Sequence, residues 1–203
     1  MKKQDTKNTI ISVGTELIAL IGYNATGIDT ILKKAGVPKG SFYHYFPSKE
    51  AFGLAVIERF AERYANYLDQ FLEDQSISPL TRMRTYCEHV TAKLTETSFS
   101  RGCLIGNLGQ ELSGQNELFR QSLDQIFLTW RDRFADCLRA AHAHGEWSGS
   151  VDPVILAGFF LSSWEGALLR AKVMNAPTPL ADFIQIFFNH VCRSAANETH
   201  NQE

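Results

Sequence analysis

Apolar residues recur at helical spacing along almost the whole chain, and nowhere do they alternate as a half-buried strand requires. That pattern predicts an all-α protein. Ile10, Val13, Gly14, Leu17 and Ile21 share one face, and Gly22 then supplies a stop. Phe52, Val56, Phe60, Tyr64, Tyr67 and Phe71 mark a long helix from about Lys49 to Leu72, with Ser48 as its N-cap. Ser78-Pro79, Asp152-Pro153 and Thr178-Pro179 each place a capping side chain before a proline at the first helical position. The stripes that follow are Leu80, Met83, Val90 and Leu94, then Ile155, Phe159, Trp164 and Leu168, then Leu180, Phe183, Phe187 and Val191. A further helix runs from about Asn116 to Ala143 on Phe119, Leu123, Phe127, Trp130, Phe134 and Leu138, and a shorter one lies near Leu104–Leu112. About nine helices result. Three short elements fill the first 46 residues, so a small module over 1–48 is expected to lean on a helical bundle over 49–203, with 49–72 as the linking helix.

The charge is unevenly divided. Residues 1–50 carry seven Lys against four acids, while the other 153 carry 13 Lys and Arg against 18 acids. The N-terminal quarter is therefore the candidate anion-binding part, although solvated lysines on an ordinary surface give the same count. The N-terminus has no secretory apolar segment. The apolar stretch Val154–Trp164 is shorter than the ~18 residues of a spanning helix and reads as a buried helix. The cysteines Cys87, Cys103, Cys137 and Cys192 lie far apart without zinc spacing, which suits reduced thiols in a cytoplasmic protein with no metal or other cofactor. The polar tail after about Ala195 reads as a frayed end.

The segment Thr26–Lys49, TGIDTILKKAGVPKGSFYHYFPSK, is the most informative. Thr26-Gly27-Ile28-Asp29 reads as a capping-box-like start whose free N–H groups suit a phosphate. Ile28, Ile31, Leu32 and Ala35 form one apolar face, Gly36 closes the helix, and Val37-Pro38-Lys39-Gly40 makes a tight turn. A second short helix then carries Ser41 to Phe46, and Pro47 ends it. This is the helix-turn-helix layout. At about 100° per residue, Phe42 and Phe46 face inward. Gly40, Ser41 and His44 face outward, flanked by Tyr43 and Tyr45. An outward face that is small, polar and aromatic suits a helix in a DNA major groove, with Lys39 and Lys49 suited to phosphates. An ordinary helical hairpin with exposed tyrosines is the plain alternative.

GVPKGSFYHYFPSKEAF, preceded by an apolar helix and Gly22-Tyr23-Asn24-Ala25-Thr26, resembles the DNA-binding domain of the TetR/AcrR (tetracycline repressor-like) regulators over about residues 8–60. The resemblance implies an N-terminal three-helix domain and a C-terminal domain that binds a small-molecule effector and forms a homodimer. It also implies repression from a palindromic operator in double-stranded DNA, with release on effector binding. By the family's pattern, Thr26, Lys39, Tyr45 and Lys49 match phosphate-contacting positions, and Gly40, Ser41, Tyr43 and His44 match groove-reading ones.

The segment Ser98–Leu112 around Cys103 is similar to the electrophile-sensing branch of that family, the N-ethylmaleimide-reductase repressors. Cys103 follows a glycine near a predicted helix start and lies beside Arg101, features that favour thiolate. Lys172, the sole lysine after Lys93, continues the row of Trp164 and Leu168 and either snorkels to solvent or points toward Cys103 or an acidic effector. Trp130, Phe127, Phe159 and Trp164 either line an apolar effector pocket or are plain core. The last two long helices are candidates for a four-helix dimer interface. Two rival functions stay open: a helical effector-binding protein without DNA function, and a cysteine-dependent enzyme, for which no local signature links a histidine to Cys103.

Overall fold

A computed structural model describes residues 3–192, and the polar tail after Ala195 lies outside the described residues. Nine α-helices are present among them, with no strand: α1 (Lys3–Ile21), α2 (Ile28–Ala35), α3 (Phe42–Tyr45), α4 (Lys49–Leu72), α5 (Pro79–Glu96), α6 (Leu104–Leu112), α7 (Glu117–Ala143), α8 (Pro153–Met174) and α9 (Thr178–Ile186). A single 3₁₀ turn, Lys39–Ser41, leads into α3, and one π turn, Phe187–Val191, extends α9.

The chain forms two compact units, and they do not follow the 48/49 division read from the sequence. Of the described residues, the first joins 3–64 to 101–126, so α6 and the start of α7 pack with the N-terminal helices. Its core holds Ile10, Ile18, Ile31, Leu32, Phe42, Phe46, Phe52 and Val56, together with Leu104, Ile105, Leu108 and Phe119 from the later segment. Helix α2 has only eight residues, too few to stand alone in water. It persists because Ile31 and Leu32 are buried and because Gly36 closes it in the left-handed region (φ 65°), where the Val37 N–H reaches the Leu32 carbonyl at 3.0 Å.

Of the described residues, 65–100 and 127–192 form the second unit. Phe134, Phe160 and Trp164 are fully buried in it, and Phe160 stacks edge-on against Phe187 (4.9 Å between ring centroids). Arg82 is buried because its guanidinium donates to the carbonyls of Ile77 and Leu72 and to the Gln75 side chain, closing the turn before α5. Asp152 caps α8 as expected, accepting from the N–H groups of Val154 and Ile155. Ser78 and Thr178 do not cap in that way. The Ser78 hydroxyl donates to Glu146 instead, and Pro177 stands at the N-cap of α9.

Helix α8 departs from the expectation of a short buried segment. By length and composition it is long and apolar enough to cross a bilayer. One side carries the buried Leu156, Phe160, Trp164, Leu168 and Ala171, but Ile155, Phe159, Leu169 and Val173 are exposed on the other. Phe159 therefore faces outward and is not a wall of an internal pocket.

Candidate nucleic-acid interface

The outward surface of α3 is set by what lies beneath it. Phe42 and Phe46 are buried against Phe52 of α4, with ring centroids 5.6 and 5.2 Å away, and each such burial contributes about 1.5–3 kcal/mol. With those two rings pinned, helical geometry turns Tyr43 and His44 to solvent. Tyr43 is 63% exposed, and Gly40 is exposed with nothing near the position of an added side chain. Ser41 and Tyr45 are half-buried at the rim, where the Tyr45 ring packs edge-on to His44 at 5.1 Å. No acidic residue lies between Lys39 and Lys49.

The two bracketing lysines differ. Lys39 is exposed and paired with Asp29 at 2.9 Å, and that hydrogen bond raises its pKa. Screened by solvent, such a pair is easily exchanged for a phosphate. Lys49 is half-buried at the start of α4: its Nζ donates to the Asn24 carbonyl at 3.3 Å and lies 4.6 Å over the Tyr23 ring. Burial lowers its pKa from 10.5, and the nearby Glu111 carboxylate acts in the opposite direction. The expected cap Ser48 is in place, its Oγ accepting from the Ala51 N–H at 3.0 Å.

Thr26 is placed differently from the sequence reading. Gly27, not Thr26, is the N-cap of α2 and makes no side-chain cap. Thr26 is fully buried, and its hydroxyl donates to the Gly22 carbonyl at 2.6 Å. The side chain closes the turn between α1 and α2.

That turn has a partner invisible to local sequence reading. Glu111, near the end of α6, accepts from the N–H groups of Tyr23 (2.9 Å) and Asn24 (2.7 Å). The Asn116 amide donates to Glu50, and its oxygen caps α7 by accepting from the Phe119 N–H.

The sensing candidates fall in both units. Cys103 belongs to the first, where it is the N-cap of α6 and its half-buried Sγ accepts from the Gly106 N–H at 3.4 Å. Lys172, half-buried near the end of α8, belongs to the second, as do Trp130 and Trp164. Both tryptophans are buried. Trp164 packs against Phe183 at 5.3 Å and Tyr86 at 6.3 Å, and its indole Nε1 has no hydrogen-bond partner. Cys87, Cys137 and Cys192 are core residues. Burial pushes the last two thiols up to about 12 and Cys87 well above its usual value.

Residues 10–56 match the family model of bacterial regulatory proteins of the tetR family, and residues 79–187 match that of the tetracyclin repressor-like C-terminal domain. The chain is 44% identical to the transcriptional regulator AcuR of Cereibacter sphaeroides over 90% of this chain and 83% of that one. It is 34% identical to the HTH-type transcriptional repressor DhaR of a Mycobacterium species over 97% of this chain and 98% of that one. The crystal structure of reduced NemR from Escherichia coli superposes with a TM-score of 0.82 at 30% identity, covering 91% of this chain and 96% of that one. By both halves of its length, the chain belongs to the TetR family of DNA-binding transcriptional regulators.

Proposed function

We propose that this chain is a cytoplasmic repressor that binds a palindromic operator as a homodimer and lets go when a small molecule acts on its second half. The observation that carries the reading is the surface of α3 and the 3₁₀ turn before it: Gly40 stands exposed on the turn, and Tyr43 and His44 on a short helix locked down by Phe42 and Phe46. Gly40, Ser41, Tyr43 and His44 read base edges in the major groove, and Lys39, Tyr45 and Lys49 hold phosphates on either side. Thr26 supports the turn and makes no hydroxyl contact with DNA. The partner copy covers the exposed apolar residues of α8 and α9: Ile155 (68% exposed), Val173 (70%), Phe159 and Ile186. They flank a groove of ≈ 330 Å³ lined among others by Phe159, Ala167, Phe183 and Ile186. Exposed apolar residues gathered on one face mark an interaction surface.

Selecting duplexes from a random pool with the full-length chain tests the DNA reading. A palindromic duplex should be enriched, and His44→Ala and Tyr43→Ala should each weaken it about tenfold or more with the helical circular dichroism unchanged. Enrichment of no duplex, or full affinity in both variants, would overturn it. Phe159→Asp with Ile186→Asp should give a monomer by sedimentation, and a dimer that survives both would move the interface elsewhere.

For sensing, one mode is non-covalent, in the aromatic surroundings of Trp130 and Trp164. A second mode is favoured by Cys103, whose partly exposed sulfur caps α6: modification of that sulfur removes the cap. Lys172 is assigned to the sensing half as a charge partner for an acidic effector.

A further inference from the structure

We infer that Glu111 is a positioning residue for operator binding, clasping the turn that seats Lys49. The inference rests on the DNA-binding reading of Lys49 and adds a residue from far along the chain. The two carboxylate oxygens of Glu111 accept from the consecutive N–H groups of Tyr23 and Asn24 at 2.9 and 2.7 Å. Hydrogen bonds to an ionised acceptor are roughly twice as strong as neutral ones. The approach is open because residue 22 is glycine. An added Cβ there would lie 2.9 Å from Glu111 Oε2, and the φ of +84° excludes most side chains independently.

The clasped turn in turn holds Lys49. The carbonyl of Asn24 accepts from Lys49 Nζ, and the Tyr23 ring lies beneath it. On the other side of the lysine, Asn116 binds Glu50. Residues of the 101–126 segment thus grip the chain both at the Tyr23–Asn24 turn and at the start of α4, and Lys49 stands between. A lysine must be presented in a fixed place to meet a particular phosphate, and its long side chain loses rotamer freedom when it does so. The clasp supplies that placement before DNA arrives.

The sign of the effect separates this role from plain electrostatics. A carboxylate near a DNA-binding surface repels phosphate, so neutralising it with Glu111→Gln should tighten binding if charge alone acts. Positioning requires the opposite. The test uses the full-length chain and the duplex that the wild type selects from a random pool. Glu111→Ala should weaken binding about tenfold and Glu111→Gln by less. The slope of log affinity against log salt should become shallower by up to ~0.9, the share of one phosphate contact. In a Lys49→Met background, Glu111→Ala should cost little more, because the lysine it positions is gone. Wild-type or tighter affinity in Glu111→Gln with an unchanged slope would overturn the inference, as would an equal loss with and without Lys49. If Glu111→Ala does not fold, the near-isosteric Glu111→Gln decides alone. A wild type that selects no duplex overturns the operator reading and this one together, whereas a wild type that binds beside an indifferent Glu111→Gln overturns this one only.

Discussion

Gly14→Ala sets helix propensity against packing, and the structure decides between them. Gly14 lies inside α1, where replacing glycine by alanine in a helix interior ordinarily stabilises by about 0.5–1 kcal/mol. A Cβ at this position would lie 2.2 Å from Phe52 Cζ and about 3.1 Å from the neighbouring ring carbon. Carbon atoms in contact sit ~3.5–4.0 Å apart, so the ring must retreat by more than ~1 Å. It has little room to do so. Phe52 is fully buried, with Phe46 at 5.2 Å and Phe42 at 5.6 Å between centroids. Overpacking of this kind costs about 1–3 kcal/mol, which at mid-range exceeds the propensity gain and leaves a net loss of up to about 2 kcal/mol. In a chain of this size the midpoint of thermal unfolding should fall by about 2–4 °C per kcal/mol. Urea and thermal unfolding followed by circular dichroism, at one fixed protein concentration, would measure it. Operator affinity should fall as well, because the displaced ring is the one on which Phe42 and Phe46 rest. Adding Phe52→Leu should recover part of the loss, as a favourable coupling between the two changes. A Gly14→Ala variant as stable as the wild type, or more so, would refute the packing argument and show that the ring yields freely.

Two further outcomes follow from burial. Under native alkylation with iodoacetamide at neutral pH, peptide mapping should find Cys103 modified ahead of Cys87, Cys137 and Cys192. The latter three are buried, and burial keeps their thiols protonated, with Cys137 and Cys192 near 12. A core cysteine that labels first would contradict the core assignment. Tyr23 and Tyr67 are likewise held up to about 12 from 10.0, chiefly by burial and, for Tyr23, also by Glu50 and Glu111. Because the raised value belongs to the folded state, their contribution to stability is complete below pH 10 and is lost as pH rises through 12. Phenolate absorbance should therefore rise in two phases, and a single phase near pH 10 with helicity intact would contradict the burial.

Helix boundaries were legible wherever a local signal marked them. Ser48 caps α4, Asp152 caps α8, Gly36 and Gly22 lie in the left-handed region past their helices, and α6 spans the predicted Leu104–Leu112. The start of α2 is ambiguous in the sequence because Thr-Gly offers two neighbouring residues for one cap. Thr26 turns inward to bond Gly22, and its glycine neighbour takes the cap position without a side chain. The α3 surface was legible because its inward residues are large aromatics and its outward ones are not. Helix α8 was harder: it is apolar on nearly every side, so periodicity does not separate Phe160, which is buried, from Phe159, which is exposed. Packing distinguishes them: Phe160 lies against Phe134 of α7 and Phe187 beyond α9, whereas Phe159 stands at an open groove.

What the sequence hid most completely is the joining of residues 101–126 to the N-terminal helices. The contacts responsible span large separations, 88 residues from Tyr23 to Glu111 and 66 from Glu50 to Asn116. They are made by polar side chains that any solvated helix could carry. Glu111 looks from its position like one more surface acid of a helix that ends a residue later. Its partners are main-chain N–H groups, which leave no mark in the identity of residues 23 and 24. Gly22 is a visible signal, and a helix stop is enough to explain it. The structure gives it a second duty, since a side chain there would meet the carboxylate of Glu111. The grouping also puts two features on one element. Cys103 caps the same nine-residue helix that carries Glu111, so a partly exposed thiol stands at its first turn and the clasp on the α1–α2 turn at its last. Hydrogen bonds weaken steeply with misalignment, so the clasp depends on where α6 is held along its axis.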